Sequence, residues 1–219
     1  MEEIRSLQVD DFEVELTGDL LNRYLPSERG ERFEKLFQSA RSEALGLLEP
    51  RGIGVTRIFS PDLFDGFSFP QPLQSVDLVT FAVVTIGEGL EERVRSLLEE
   101  NEMARGTVLD SFGSAAVSEV ARKFARRISR EVTPSGATTT RAFSPGGGSS
   151  SWDIENQQLI FRHVEASRIG VRLTSTCTMK PEKSVSFLLG HGEGVGHTEH
   201  FFSCEGCPKT DCSYRYIPS

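Results

Sequence analysis

The sequence has no apolar run long enough to cross a bilayer. Its most hydrophobic stretch, Leu78 to Ile86, is interrupted by Thr80 and Thr85 and falls well short of the ~20 residues a membrane-spanning helix needs. The N-terminus reads Met1-Glu2-Glu3-Ile4-Arg5 and lacks the apolar core of an export signal, so a cytoplasmic location is the expectation. Positive charge is scarce. With 24 basic against 32 acidic side chains the formal net charge is −8, the wrong sign for a protein whose main task is gripping nucleic acid. Four cysteines in 219 residues are too few for a disulfide scaffold. No Ser/His/Asp or Cys/His arrangement that would build a nucleophilic site is evident.

What is present is an ordinary folding composition, with 37% hydrophobic and 26% charged residues. The pattern mixes strands and helices. Residues 9–16 alternate loosely and predict a strand, and Thr17 offers a cap for a short element carrying Leu21 and Tyr24. Helical spacing predicts a helix over about 29–48, with Phe33, Leu36, Phe37, Ala40, Ala44 and Leu47 on one side. A strand is expected over 52–59, then a Pro- and Phe-rich loop over 60–74. The stretch 76–86 is apolar on both faces from Leu78 onward, as in a strand covered on both sides.

A helix carrying Leu90, Val94, Leu97 and Leu98 follows, its start favoured by Glu91 and Glu92. A longer one over about 104–131 brings Val108, Phe112, Ala116, Val120, Phe124 and Ile128 inward in steps of four. Residues 133–151 are a Gly/Ser/Thr/Pro connection, and Ser151 or Asp153 is expected to cap a third helix running to about Ser167, with Ile154, Phe161 and Val164 inward and His163 at its surface or boundary. Val171-Arg172-Leu173 and Ser184 to Leu189 read as strands, with Met179-Lys180-Pro181 as the turn between them. The basic side chains Arg122, Lys123, Arg126, Arg127 and Arg130 recur at spacings of three to four and read as a solvated helix face.

The C-terminal stretch has a different character. Cys204-x2-Cys207-x4-Cys212 places three thiols within nine residues, next to His191, His197 and His200. Thiolates at this spacing suit zinc or an iron–sulfur cluster, with Cys177 or one of the three histidines as a fourth ligand, and reduced, unliganded thiols are the alternative. The expected division is therefore a main domain over 1–190 and a Cys/His-rich tail over 191–219.

Several segments, taken together and in order, resemble the activation domain family of cobalamin-dependent methionine synthase. They are Thr85-Ile86-Gly87, Leu109-Asp110-Ser111-Phe112-Gly113-Ser114 with Glu119 downstream, Arg141-Ala142-Phe143-Ser144-Pro145-Gly146-Gly147, Ile169-Gly170-Val171-Arg172-Leu173-Thr174, and Met179-Lys180-Pro181-Glu182-Lys183-Ser184-Val185-Ser186. They span about residues 76–190. The resemblance implies an α+β fold with a curved antiparallel sheet flanked by helices. It also implies S-adenosylmethionine as the cofactor, used to remethylate an oxidised cobalamin after one-electron reduction by an outside donor protein.

Arg141, Pro145, Gly146 and Gly147 match the family's binding loop, Arg-x-x-x-Gly-Tyr, with two departures. Gly146 lies one position further from the arginine, and Gly147 stands where the tyrosine follows. Chemically the loop suits such a ligand: a guanidinium can clamp a carboxylate on two bonds, and bare glycines allow close approach of the backbone. Asp110 reads either as a favourable charge near a helix start or as a polar contact to the cofactor, and Glu119 as structural.

The chain lacks the Asp-x-His-x-x-Gly motif that supplies a cobalt-ligating histidine, so the cobalamin is expected on a separate methyltransferase or corrinoid protein. A non-catalytic accessory subunit of such a protein, or a metal or redox sensor acting through the cysteine tail, are the other expectations the sequence leaves open.

Overall fold

A computed structural model gives the fold and describes residues 3–16, 21, 24, 30–68, 70–147, 152–196, 201–202 and 210–211. Its centre is a five-stranded, wholly antiparallel sheet. The strands are β1 (Glu3–Val9), β2 (Arg51–Ile58), β3 (Leu78–Thr85), β4 (Thr138–Thr139) and β7 (Ser184–Gly192), in the spatial order β1-β2-β3-β7-β4. A separate two-stranded ladder joins β5 (Arg172–Leu173) to β6 (Met179–Lys180). Four α-helices flank the sheet among the described residues: α1 (Glu31–Leu47), α2 (Gly89–Glu99), α3 (Met103–Val132) and α4 (Gln157–His163). The chain is thus α+β, as expected. No described helix is long and apolar enough to cross a membrane.

The doubly apolar β3 explains the layering. Because side chains alternate across a strand, Val79, Phe81 and Val83 face one side while Ala82 and Val84 face the other, and all five are buried. The second group joins Phe187 and Leu189 of β7, Phe37, Ala40 and Ala44 of α1, and the buried stripe of α3 in one core. The first group meets Ile53 and Val55 of β2, Leu159 and Ile160 of α4, and Leu63, Phe64 and Leu73 from two 3-10 turns, Pro61–Phe64 and Gln71–Ser75.

Helix α3 shows how sequence spacing becomes packing. Val108, Phe112, Ala116, Val120, Phe124 and Ile128 are all buried. Steps of four drift about 40° per step on a 3.6-residue helix, so Leu109, Ala115, Ala121 and Ala125 complete the contact as the stripe winds. The helix settles against β2 because Gly52 and Gly54 present no side chain there. A Cβ on Gly52 would lie 3.2 Å from the Phe12 and Phe124 rings, and one on Gly54 would lie 3.6 Å from Ile128 Cδ1.

Gly190, in β7, is tighter still. A Cβ there would stand 2.6 Å from Val76 Cγ1 and 2.7 Å from Leu73 Cδ2. Gly190→Ala is therefore expected to lower stability by about 1–3 kcal/mol through overpacking, read from the urea midpoint at unchanged m-value.

Several local expectations are corrected. Residues 10–16 form no strand; β1 lies at 3–9, because that stretch is the one registered against Gly52–Arg57. The loose alternation over 9–16 instead reflects Phe12 and Leu16 turning into the core, with Phe12 meeting Phe124 edge-on at 5.8 Å. The expected helix over 153–167 is split. Val164 adopts extended angles (φ −116°, ψ 123°), leaving α4 between two 3-10 turns.

Met179-Lys180 is strand rather than turn. The reversal falls at 174–178, closed by Thr174 N–H to the Thr178 carbonyl at 2.9 Å and by Thr178 N–H to the Thr174 hydroxyl at 3.0 Å. His163 is buried, not superficial. It stacks on Phe81 with ring centroids 4.1 Å apart, and its Nε2 donates to the Leu63 carbonyl at 2.9 Å. The capped element around Thr17 lies mostly outside the described residues, although Leu21 is buried and the Tyr24 hydroxyl meets Ser118 Oγ at 2.8 Å.

Strand β7 runs two residues past position 190, so His191 and Gly192 belong to the sheet. Phe201 is also buried in the core.

Candidate functional site

The stretch 138–147 follows the free side of β7 and ends in a turn. Thr138 and Thr139 pair with Gly192 and His191, and Phe143 exchanges both backbone bonds with Leu188, at 3.0 and 2.9 Å. As the chain advances from 138 to 143 its partners retreat from 192 to 188, so Pro145–Gly147 is directed toward the start of β7. The turn itself is Ser144-Pro145-Gly146-Gly147. Gly147 N–H donates to the Ser144 carbonyl at 3.1 Å, and Gly146 has φ +70°. Proline followed by a positive-φ glycine is the sequence that a type II turn selects.

This turn is built into the fold. Pro145 is buried, Gly146 N–H donates to the Trp152 carbonyl at 2.7 Å, and Trp152 Nε1 donates to the Ser68 carbonyl at 2.9 Å. A Cβ at Gly146 would stand 3.0 Å from Ile154 Cδ1, and one at Gly147 would stand 3.0 Å from the Ser144 carbonyl oxygen. A side chain would be crowded at both positions, and at Gly146 the backbone conformation itself favours glycine. Arg141 is half-buried and its guanidinium carbon lies 5.4 Å from the centroid of the Phe143 ring.

Arg141, Pro145, Gly146 and Gly147 therefore share one continuous, hydrogen-bonded loop. Asp110 is engaged elsewhere. Its Oδ1 lies 2.7 Å from Lys183 Nζ, and the same ammonium donates to Ser114 Oγ at 2.9 Å. Lys183 immediately precedes β7, so Asp110 sits at the strand end toward which the loop runs. Gly113 leaves room for the lysine stem, since a Cβ there would come within 3.3 Å of Lys183 Cε and 2.7 Å of Leu90 Cδ2. Lys183 is the residue that sequence reasoning missed as a site candidate. Its place in the 179–186 segment, one of those that carry the resemblance, was the available signal.

Glu119 forms an ion pair with Arg122 at 2.5 Å, one turn along the same helix. Arg127 pairs with Glu131 at 2.8 Å and Lys123 donates to the Glu13 carbonyl at 2.6 Å, while Arg126 and Arg130 are exposed. The basic stretch is mainly a solvated face.

Of the four cysteines, Cys204, Cys207 and Cys212 lie outside the described residues, as do His197 and His200. Cys177 is buried, and Gln158 Nε2 donates to its sulfur at 3.2 Å. Among the described residues no group of three His, Cys, Asp or Glu side chains is placed to hold a metal ion.

His191 is fully buried, and both ring nitrogens are occupied. Nε2 meets the Thr80 hydroxyl at 2.9 Å, and Nδ1 meets those of Thr133 and Thr139 at 3.0 and 3.2 Å. These bonds take the nitrogens that the sequence offered as a metal ligand. Thr56 and Ser129 extend the cluster through Thr80 and Thr139, each at 2.9 Å. Burial alone pushes the His191 imidazole down to about 4.

Two of the concavities among the described residues have well-defined linings. One, of about 280 Å³, lies between the start of α2 and the β5–β6 ladder and is lined by Glu88, Glu92, Arg95, Arg172 and Lys180, among others. The second, of about 400 Å³, lies between α1 and the start of α3, beside Leu36 and Met103. Neither takes a wall from residues 141–147.

No protein-family profile and no curated protein matches the sequence. Among solved structures the chain is similar to a crystal structure of the MetH reactivation domain bound to AdoHcy. The two share 14% sequence identity at a TM-score of 0.55, over 85% of this chain and 78% of that one. At that identity the likeness is one of fold. The antiparallel sheet with its flanking helices is an arrangement this chain shares with the reactivation domain.

Proposed function

We propose that this chain binds S-adenosylmethionine through the 141–147 loop and supports reductive methylation of an oxidised cobalamin carried by a separate methyltransferase or corrinoid protein. The observation that carries the reading is the loop itself. A half-buried arginine precedes a hydrogen-bonded Pro-Gly-Gly turn, in a chain whose fold matches a domain solved with AdoHcy.

The residues suit the ligand. Arg141 supplies a fixed cation for the carboxylate of its amino-acid end, and Ser144 to Gly147 supply a backbone surface whose only side chains are the Ser144 hydroxymethyl and the buried Pro145 ring. Asp110 and Lys183 neutralise each other at the same end of β7. The ligand contributes a methyl group on a sulfonium, which leaves as the sulfur retains the bonding pair. Such a transfer to a strongly nucleophilic acceptor needs no general acid or base from the protein. The chain's task is alignment and exclusion of water.

Under this reading the tail thiolates of Cys204, Cys207 and Cys212 hold a soft metal, zinc as a staple or an iron–sulfur cluster as an electron relay. An absorption band near ~400 nm after anaerobic purification marks a cluster, and a colourless zinc-containing protein marks a staple.

The test of the main reading is calorimetry with S-adenosylmethionine and S-adenosylhomocysteine. Saturable binding is expected, weakened roughly tenfold to a hundredfold in Arg141→Ala. That corresponds to losing a charge-assisted hydrogen bond pair worth about 1.5–3 kcal/mol. Absence of binding at millimolar ligand sinks the reading. A complex with a corrinoid protein that ignores the nucleotide would instead make the chain an accessory subunit.

A further inference from the structure

Arg141 is held from both sides of its backbone. Before it, Thr140 is bonded to β7: its N–H donates to the Gly190 carbonyl at 2.9 Å, and its hydroxyl accepts from Gly190 N–H at 3.0 Å. After it, the Ala142 N–H donates to the carbonyl of Phe201 at 2.8 Å, and Phe143 then returns to Leu188. The peptide group that follows Arg141 is thus held by two neighbours, its N–H by the Phe201 carbonyl and its carbonyl by the Thr140 hydroxyl, which donates to it at 2.9 Å. One of those neighbours lies 59 positions further along the chain.

Phe201 is seated by its side chain. Its ring is 4% exposed and shares the core with Ala142 and Phe187, while the adjacent Phe202 meets Phe187 edge-on at 5.3 Å and 83°. Phe187 immediately precedes Leu188, the partner of Phe143. A buried ring at 201 therefore fixes a carbonyl, and that carbonyl fixes the amide next to Arg141.

We propose that Phe201 is a positioning residue for Arg141: its ring anchors the carbonyl that holds the Ala142 amide and so sets the direction in which the arginine leaves the chain. This rests on the 141–147 loop being the ligand site. Since Cys204 follows Phe202 by two positions, the same joint ties the cysteine-bearing end of the chain to that loop. Preorganisation is what such a joint contributes, because an arginine already aimed loses less freedom when the carboxylate arrives.

The experiment uses the full chain, with S-adenosylhomocysteine as probe, and combines calorimetry with hydrogen exchange. Phe201→Ala is expected to speed exchange of the amides at 140–143 while those of β3 keep their protection, and to weaken the probe about tenfold. Phe201→Leu, which refills most of the site, is expected to restore both. Val120→Ala, which thins the same core from α3, lowers the melting temperature and leaves both readouts unchanged.

If Phe201→Ala only lowers the melting temperature, with loop exchange and affinity behaving as in Val120→Ala, the proposal is overturned. Should the unmodified chain fail to bind the probe, the ligand reading falls and exchange alone decides the joint. Acceleration confined to 140–143 upholds it; a uniform change or none refutes it.

Discussion

Phe81→Ala is expected to lower the unfolding free energy by about 4 kcal/mol, the largest single-residue effect anticipated in this protein. Phe81 is fully buried on the central strand β3, with Phe64 6.0 Å away and the His163 ring stacked on it at 4.1 Å. Removing the ring forfeits its burial and leaves a cavity that β2 and β7 cannot collapse into, since both are locked in register with β3 over eight residue pairs. It also strips one face from His163, whose Nε2–H is already committed to the Leu63 carbonyl. A domain of this size holds roughly 5–15 kcal/mol in all, so the variant should sit near the edge of folding at 37 °C. Urea unfolding at neutral pH is the check, and a loss below about 1 kcal/mol would show that the α4 face packs far more loosely than described.

Acid should act through His191 well before it acts through carboxylates. The imidazole is completely buried among the hydroxyls of Thr80, Thr133 and Thr139, and burial alone shifts it. Those hydroxyls can serve either tautomer and could also accept from an imidazolium, so hydrogen bonding does not forbid the charge. Desolvation does. Its folded-state value of about 4 lies below the ordinary 6.5, so the unfolded chain binds the proton more readily. Stability from this group is complete above about 6.5 and is lost as pH falls toward about 4, some 3 kcal/mol in total.

His163 is shifted in the same direction, chiefly by burial, and adds to the same window. Glu100, held down by the Ser96 hydroxyl, and Glu182, held down by Lys180, contribute only below the ordinary carboxylate range. The slope of unfolding free energy between pH 6.5 and 4.5 therefore reports the buried histidines. His191→Gln should flatten most of that slope while lowering stability at pH 7. An unchanged slope would show that His191 is accessible to water.

Much of the fold was legible in the sequence because its signals are local. Apolar residues on both faces from Leu78 to Ile86 require a strand covered on both sides. The inward steps along α3 require a helix lying on a core, and both elements formed within two residues of expectation. The misreadings came where a local pattern had two physical solutions. The alternation at 9–16 fits a strand, but equally a segment whose Phe12 and Leu16 merely turn inward. His163 at a helix end could be wet, yet Phe81 and the Leu63 carbonyl, 82 and 100 positions away, enclose it.

The candidate site divides in the same way. The Arg141 to Gly147 motif stood out through the family resemblance, and its Pro-Gly step is one that selects its own turn. Nothing near Asp110 announces that Lys183 will neutralise it. Nothing near His191 tells it apart from the histidines of the tail, although Thr80, Thr133 and Thr139 close around it.

By itself, then, the sequence determined the class of fold, the two-faced central strand, the long inward helix and the loop with its arginine. The strand and the helix are written in the periodicity of adjacent residues, whereas the class of fold and the loop's meaning came from the family resemblance. Only the tertiary structure decided which charges are paired, which histidines are buried and what holds the arginine's neighbours. Those outcomes depend on antiparallel pairing between distant segments, and a partner dozens of positions away leaves no mark on the local pattern.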